Sequence, residues 1–196
     1  MITSLDQLDL NGTYSYADYL KWQFEERVEL IKGKLFKMSP APSRRHQEIS
    51  SILQGKIFNF LDIKTCKIYP APFDVRLAPR RGEKTDKIYT VVQPDLCVFC
   101  GKANLDDRGA IGAPDWVIEI LSPGNSRIEV KNKFGVYEEN GVKEYWLVDP
   151  AYETIMVYVL NEFGKFIGLP IVTIEDSITS HVFPGFNIAV STIFEE

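Results

Sequence analysis

Residues 115–121, with the sequence DWVIEIL, place one carboxylate inside an otherwise apolar run. Such a short run, rich in β-branched residues, is typical of a buried strand. Burying an ionised carboxylate there costs several kcal/mol unless a cation or hydrogen-bond donors compensate the charge. The sequence therefore predicts a sheet in which Glu119 has a positively charged neighbour.

The hydrophobic pattern around this strand alternates between the period of helices and that of strands. It predicts helices at about 16–26, 43–62 and 126–139, a hairpin that turns at Lys32-Gly33, strands at about 73–77, 91–99 and 115–121, and further strands in YWLVDP and IMVYVL. This order is typical of an α/β (α+β) fold with a mixed sheet flanked by helices. Because no repeat or long linker interrupts the pattern, we expect residues 1–196 to form a single domain.

Composition limits the classes of function. The 22 Lys and Arg residues against 27 Asp and Glu residues give a net charge of −5, and 45% of the chain is hydrophobic. This balance excludes a disordered chain and argues against a broad basic face that binds nucleic acid through phosphate contacts alone. It is compatible with a nuclease whose metal ions face the phosphate. No apolar run of about 18 residues and no secretory signal is visible, so we expect a cytoplasmic protein without a membrane partner.

The three cysteines predict no disulfide framework, since their number is odd and no export signal is visible. Cys97 and Cys100 lie three apart in a predicted strand, so their side chains should point to opposite faces. A zinc site would need further ligands at matching spacing, whereas Cys66, His46 and His181 are scattered singly. We therefore expect buried structural cysteines.

Asp95 and Glu119 are the candidate metal ligands. Asp95 follows Pro94 in the predicted strand 91–99, and Glu119 lies in the next predicted strand. Two carboxylates on neighbouring strands, with a lysine from the following helix, match an oxygen-rich Mg²⁺ or Mn²⁺ site with positions left for water and phosphate. Metal-activated water hydrolyses phosphodiesters at such sites. The alternatives are that Asp95 only initiates a turn and that Glu119 pairs with an arginine.

Lys133 is the candidate lysine. Lys133 and Glu129 stand four apart and share one face of the predicted helix, while Val130, Phe134 and Tyr137 take the core-facing side. Lys133 can therefore reach a phosphate or an attacking water. Lys131 lies about 200° around the helix and should point elsewhere. The alternative is that Glu129 and Lys133 form only a surface ion pair, with little effect on stability.

Several blocks of the chain, taken together, resemble a known family. The stretches VELIKGKLFKMSPAPSRRHQ, QPDLCVFC, PDWVIEILSP and GVYEENGVKEYWLVDP are similar, in this order, to the Uma-type endonuclease family. This family is a bacterial branch of the PD-(D/E)XK restriction-endonuclease-like superfamily, and the similarity covers about residues 14–160. Several blocks in the correct order are far more specific than any single motif. The resemblance implies a restriction-endonuclease-like fold and a metal-dependent nuclease.

The resemblance also implies roles for individual residues. Asp95 corresponds to the acidic residue of the PD motif, and Glu119 to the acidic residue of the second half of the motif. Glu29 corresponds to the extra glutamate of the E-L-I block, and His46 to the histidine of the S-x-R-H-Q block. The alternatives are that Glu29 is a solvated strand residue and that His46 only decorates the helix surface.

The superfamily lysine normally follows the second acidic residue by two positions, where this chain has Leu121. As in this branch generally, the resemblance implies that the following helix supplies the lysine, through Lys133. The aromatic residues Tyr137, Tyr145 and Trp146 are expected in the core rather than in a base-stacking platform.

These observations favour a Mg²⁺- or Mn²⁺-dependent DNA endonuclease with Asp95, Glu119, Lys133, Glu29 and His46 in its site. No G-x-S-x-G, Walker A or G-x-G-x-x-G motif supports another class of enzyme, and a glycosidase would require neither the lysine nor the PD block. The alternative function is a catalytically weak nucleic-acid-binding or accessory domain that retains the nuclease fold. Apolar residues between about 154 and 190 offer a surface for a symmetric partner, so we expect a homodimer.

Overall fold

The computed structural model describes residues 2–38, 42–61, 65–78, 83–123 and 127–195. The helices are α1 (Tyr16–Tyr19), α2 (Arg44–Phe60), α3 (Arg127–Asn140) and α4 (Ser191–Phe194). The strands are β1 (Val28–Ile31), β2 (Lys34–Lys37), β3 (Cys66–Pro70), β4 (Val75–Arg76), β5 (Val91–Val92), β6 (Leu96–Cys100), β7 (Leu105–Asp106), β8 (Gly109–Ile111), β9 (Trp116–Ile120), β10 (Glu144–Asp149), β11 (Thr154–Leu160), β12 (Phe166–Gly168), β13 (Ser177–Thr179) and β14 (Asn187–Ala189).

The strands form two sheets and a hairpin. One sheet has the order β2-β1-β5-β4-β8-β7, the other has the order β12-β11-β10-β9-β6-β3, and β13 pairs with β14. The second sheet is mixed, because β9 runs parallel to β10 but antiparallel to β6. The predicted mixed α+β architecture is therefore confirmed, with strands divided between two larger sheets rather than gathered in one.

Helices α2 and α3 cover opposite faces of the second sheet. Alternate residues of β9 point to opposite faces, as the strand period requires. Ile118 packs in the layer that contains Leu53 of α2, whereas Val117 packs in the layer that contains Val136 of α3. Strand β9 is consequently buried on both faces, and Glu119 shares the α3 face with Val117.

The two long helices and the first hairpin agree with the sequence prediction. Predicted helix 43–62 is observed as α2, and predicted helix 126–139 as α3; residues 62 and 126 lie outside the described part of the chain. Helix α3 ends before Gly141, which has φ 83° and provides the left-handed residue expected after a helix. Lys32 and Gly33 form the tight turn between β1 and β2, with φ values of 52° and 77°.

The prediction of a first helix over 16–26 is wrong in its length, because α1 ends at Tyr19. The start is as expected, since the Ser15 backbone N–H donates to the Asp18 carboxylate over 3.1 Å. Beyond α1, Trp22 forms a β-bridge with Ile2, and the Gln23 N–H donates to the Ile2 carbonyl over 2.8 Å. These pairings replace the helical hydrogen bonds that a longer helix would need.

The predicted strand 91–99 is divided between the two sheets. Its first part is β5 in one sheet, and its second part is β6 in the other. The segment Gln93-Pro94-Asp95 separates them, since proline has no N–H to donate to a ladder. This interruption places Asp95 at the start of β6, where the two sheets meet.

The expectation that the chain has no disulfide is wrong. Antiparallel pairing of β3 with β6 places Cys66 directly opposite Cys100, their Cα atoms 4.0 Å apart, and the two are disulfide-bonded. No local pattern in the sequence indicates this register. Cys97 is free and buried as expected, and burial raises the pKa of its thiol.

A buried carboxylate holds the C-terminal hairpin against the second sheet. Glu144 of β10 accepts hydrogen bonds from Trp146 Nε1 over 2.6 Å, Ser180 Oγ over 2.8 Å and Val182 N over 2.8 Å. Its side chain is fully buried, so these donors supply the compensation that a buried carboxylate needs.

Within the described residues, no helix has both the length and the apolar character needed to cross a membrane.

Candidate active site

Asp95 and Glu119 lie close together where β6 begins beside β9. The β6–β9 register ends with Leu96 opposite Ile118, so Asp95, directly before Leu96, and Glu119, directly after Ile118, lie at the same end of this pairing. Asp95 Oδ2 accepts a hydrogen bond from the Ile120 backbone N–H over 2.8 Å. The Asp95 side chain is thus hydrogen-bonded to β9, so its role is not limited to starting a turn.

Glu119 has the cationic neighbour that its apolar setting requires. Lys133 Nζ lies 3.1 Å from Glu119 Oε1 and 3.2 Å from Oε2, and the Tyr137 hydroxyl donates to Oε1 over 2.5 Å. Burial raises the pKa of Glu119 to about 7; Lys133 and Tyr137 oppose this effect, whereas Asp95 and Glu29 add to it. The cation is the lysine of α3, so the alternative of an arginine partner does not hold.

Lys133 is buried between two carboxylates. Its side chain is 9% exposed, and Nζ also lies 3.2 Å from Glu29 Oε1. Burial by itself lowers the pKa of Lys133, but the charges of Glu119 and Glu29 outweigh burial and raise it. The ammonium group is therefore held in its charged form. Lys131 is exposed whereas Lys133 is buried, so the two lysines point in different directions and Lys133 does not belong to a surface ion pair with Glu129.

Glu29 lies in the interior rather than on a solvated strand. It is 2% exposed, and its Oε1 accepts a hydrogen bond from the Gln93 backbone N–H over 2.8 Å as well as contacting Lys133. Strand β1 thus contributes a carboxylate from the first sheet to a cluster on the second. One ammonium group contacts two carboxylates, and Asp95 is close enough to affect the same titrations.

His46, in the first turn of α2, is a second partner of Asp95 besides the Ile120 N–H. Ser43 caps α2, its hydroxyl accepting a hydrogen bond from the His46 backbone N–H over 3.3 Å, and this first turn directs the imidazole inwards. His46 Nε2 is 3.3 Å from Asp95 Oδ2. Burial lowers the pKa of His46, but the hydrogen bond to Asp95 and the charge of that carboxylate outweigh it, so the pKa is raised. The alternative of a surface histidine does not hold.

Three further residues of the site were not predicted from the sequence. Tyr137 was assigned only to the core, where it does lie, but its hydroxyl binds Glu119. Gln93 joins Glu29 through its backbone, and Arg27 binds the Gln93 side chain. Two features of the sequence could have identified Tyr137 and Gln93. Tyr137 follows Lys133 by four positions and so shares its helix face, and Gln93 directly precedes the PD motif.

Most of the site borders a cleft of about 410 Å³. Asp95, Glu119, His46 and Lys133 lie on its walls, and the polar face of α2 forms another side. The Asp95 side chain is 22% exposed and the Glu119 side chain 10%, so Asp95 is the more accessible carboxylate from the cleft. The described part of the chain contains no ready-made cluster of three acidic, histidine or cysteine ligands around a metal-sized site.

The donor chemistry nevertheless fits a hard divalent cation. Mg²⁺ binds oxygen ligands and is commonly held by one or two protein carboxylates, with water and phosphate completing its coordination. Asp95 and Glu119 provide such a pair. Three carboxyl groups, those of Asp95, Glu119 and Glu29, lie around the single buried ammonium of Lys133, and this number of acidic groups is also consistent with a bound cation.

Comparison with solved structures shows the class of fold. The structure is similar to the crystal structure of a "putative nuclease belonging to DUF820" from Anabaena variabilis, with a TM-score of 0.71 and 21% identity. The match covers 92% of this chain and 97% of that chain. The chain therefore shares the mixed α+β fold of that structure over almost its whole length.

The family follows from a second comparison. The model of the family described as "Uma2: Putative restriction endonuclease" matches residues 16–191, so the chain belongs to this nuclease family. The "Uncharacterized protein slr1290" of Synechocystis sp. is 27% identical over 156 residues, which is 78% of this chain and 77% of that protein. The family resemblance inferred from the sequence is thereby confirmed.

Proposed function

We propose that this protein is a DNA endonuclease that requires Mg²⁺ or Mn²⁺. The observation that carries the proposal is that Asp95 and Glu119 border one cleft at the same end of the β6–β9 pairing, with Lys133 in contact with Glu119. Membership of a restriction-endonuclease family supports the substrate class. Two carboxylates and a lysine at one cleft are the groups that metal-assisted phosphodiester hydrolysis needs.

Asp95 and Glu119 are the proposed metal ligands. A divalent cation bound there would lower the pKa of its water and polarise the phosphate. Asp95 is oriented for this role by the Ile120 N–H on one side and by His46 on the other. We assign His46 a positioning role, because its contact within the site is with Asp95.

Lys133 supplies fixed positive charge beside Glu119. A preorganised cation stabilises the negative charge that develops on a phosphate during cleavage, and it does so most effectively when water is excluded. Glu29 also contacts the ammonium group, 3.2 Å from Nζ. Glu29 therefore acts through Lys133. Substitution of Glu29 should displace the ammonium group and leave both proposed metal ligands, Asp95 and Glu119, in place.

The test is cleavage of supercoiled plasmid and branched DNA with Mg²⁺ or Mn²⁺ and with a chelator. We expect cleavage only with metal, and a loss of about 100-fold or more in Asp95→Asn, Glu119→Gln and Lys133→Ala. Lys131→Ala, on the exposed side of the same helix, should retain wild-type activity. Folding of each variant is checked by circular dichroism and thermal denaturation.

Two results would contradict the proposal. One is metal-independent cleavage that the carboxylate variants retain, which would indicate a contaminating or different activity. The other is DNA binding by the wild type without any cleavage. That result would favour the alternative function, a nucleic-acid-binding or accessory domain that retains the nuclease fold.

A further inference from the structure

Arg27 lies at the edge of the cleft, just before β1. It is exposed, and it borders the same cavity as Asp95 and Glu119. Arg27 Nη2 donates a hydrogen bond to Gln93 Oε1 over 2.8 Å. An exposed arginine with a fixed anchor presents its remaining N–H donors in a defined direction.

Gln93 is a rigid anchor because its other groups are also bound. Its backbone N–H donates to Glu29 over 2.8 Å, and its Nε2 donates to Asp74 Oδ1 over 2.8 Å. An amide nitrogen that faces a carboxylate must leave the amide oxygen to face the guanidinium group. Gln93 is 9% exposed, so this arrangement is shielded from solvent.

Charged residues around the cleft mark Arg27 as the group that can bind an anionic ligand, since Asp95, Glu119 and Glu129, which also border it, are acidic. Among the described residues that border the cleft, the lysines and arginines are Arg27 and Lys133, and Lys133 is buried against two carboxylates. Apart from His46, which is buried against Asp95, the face of α2 on the cleft carries four uncharged polar residues: Gln47, Ser50, Ser51 and Gln54. A polyanion that enters this cleft therefore meets Arg27 as its accessible cation.

We propose that Arg27, oriented by Gln93, is a phosphate clamp that binds a backbone phosphodiester of the DNA beside the one in the active site. The inference rests on the proposed function, since it takes DNA as the ligand. A guanidinium group binds phosphate through two parallel N–H donors, which gives direction as well as charge. The clamp would fix the register of the strand relative to Asp95 and Glu119.

The experiment measures DNA binding without cleavage. Fluorescence anisotropy with a labelled duplex follows binding of the Asp95→Asn protein, alone and combined with Arg27→Ala, Arg27→Lys or Arg44→Ala. Arg44 is the matched control, because it is an exposed arginine near the start of α2 that does not border the cleft. All four proteins are compared by thermal denaturation.

We expect Arg27→Ala to weaken binding about tenfold and to reduce the salt dependence of binding by about one phosphate contact. The affinity of the protein with Arg27→Lys should lie between the affinities of the proteins with Arg27 and with Arg27→Ala, because lysine keeps the charge but lacks the forked donors. Arg44→Ala should have a much smaller effect. On a duplex with neutral methylphosphonates through its central turn, the protein that carries Arg27→Ala should bind as well as the protein that retains Arg27.

The clamp is overturned if Arg27→Ala and Arg44→Ala bind DNA alike, or if the Asp95→Asn protein binds no DNA. It is also overturned if the Arg27→Ala defect persists on the neutral backbone, since the contact would then not be with phosphate. Arg27-dependent binding by a wild-type protein that shows no cleavage would support the clamp and contradict only the proposed nuclease activity.

Discussion

Tyr137 serves both the packing of the core and the electrostatics of the site. Its ring is fully buried in the layer beneath α3, and its hydroxyl donates to Glu119. Burial raises the pKa of Tyr137 well above its usual value, so the hydroxyl remains a donor at any working pH. That hydrogen bond favours the ionised form of Glu119, which is the form that binds a metal.

Tyr137→Phe should therefore change the pH dependence of the reaction. The pKa of Glu119 should rise, moving the acid limb of the cleavage profile to higher pH, and the free energy of unfolding should fall by about 1 kcal/mol. Tyr145→Phe is the control, because the buried Tyr145 hydroxyl has no hydrogen-bond partner among the described residues. If the pH profile of cleavage is unchanged in Tyr137→Phe, the Tyr137 hydroxyl does not affect the ionisation of Glu119 and contributes only to packing.

Glu119 also predicts a pH dependence of stability. Its pKa is about 7 in the folded protein and near 4.5 in the unfolded chain, so between these values the folded state holds a proton that the unfolded state has released. The free energy of unfolding should thus fall as the pH rises through this window and level off above it. In Glu119→Gln, which stays neutral, this part of the decline should be absent.

Urea denaturation of both proteins from pH 4 to 8, in chelator, isolates the effect of Glu119. Titrating groups outside the cluster around Glu119 are common to the two proteins and largely cancel. Identical pH dependence in wild type and variant would show that Glu119 is not the group whose pKa is raised.

At the level of elements, the break between β5 and β6 brings the two sheets to one site. Strand β1 pairs with β5 in the first sheet and carries Glu29, whereas β6 leads from Asp95 into the second sheet. The Gln93-Pro94-Asp95 segment joins the two sheets. The Gln93 N–H donates to the side-chain carboxylate of Glu29 instead of to a backbone carbonyl of a neighbouring strand. The backbone irregularity is therefore what allows residues from both sheets to meet at Lys133.

Glu144 makes a second connection between elements, and its removal should be costly. Glu144→Ala leaves the Trp146, Ser180 and Val182 donors without their acceptor, so we expect the free energy of unfolding to fall by about 3 kcal/mol. Ser180→Ala, which removes one of these bonds, should lose about 1 kcal/mol. Urea denaturation measures both. Equal losses in the two variants would show that Glu144 does not hold the C-terminal hairpin in place.

For the whole molecule, the sequence predicted what periodicity and local chemistry determine. Helices α2 and α3, strand β9 and the cation beside Glu119 all follow from apolar spacing and from the cost of burying a charge. Such features depend on residues that are neighbours along the chain or on one helix face.

Features that depend on distant pairing were not predictable. The Cys66–Cys100 bond needs the register of β3 against β6, across a separation of 34 residues. The end of α1 depends on Trp22 pairing with Ile2. The contacts of Gln93 likewise join three separate segments, which contain Arg27 with Glu29, Asp74, and Gln93 itself, so no local pattern predicts them.

The homodimer expected from the sequence stays a prediction. In the region between 154 and 190, Ile167 and Ile171 are 51% and 60% exposed, and β12 lies at an edge of the second sheet. We expect light scattering at micromolar concentration to give the mass of a dimer, and Ile167→Lys to shift it towards the monomer. A monomeric mass for the wild type would contradict this prediction.

The most direct test of the proposed site is titration of Mn²⁺ into the metal-free protein by calorimetry at pH 8, above the pKa of Glu119. We predict saturable binding by the wild type and by Lys131→Ala. Binding by Asp95→Asn should be weaker by about tenfold or more, because even groups that only orient a ligand contribute about that much. Equal binding by the wild type and Asp95→Asn would contradict the assignment of Asp95 as a ligand and, with it, the metal site.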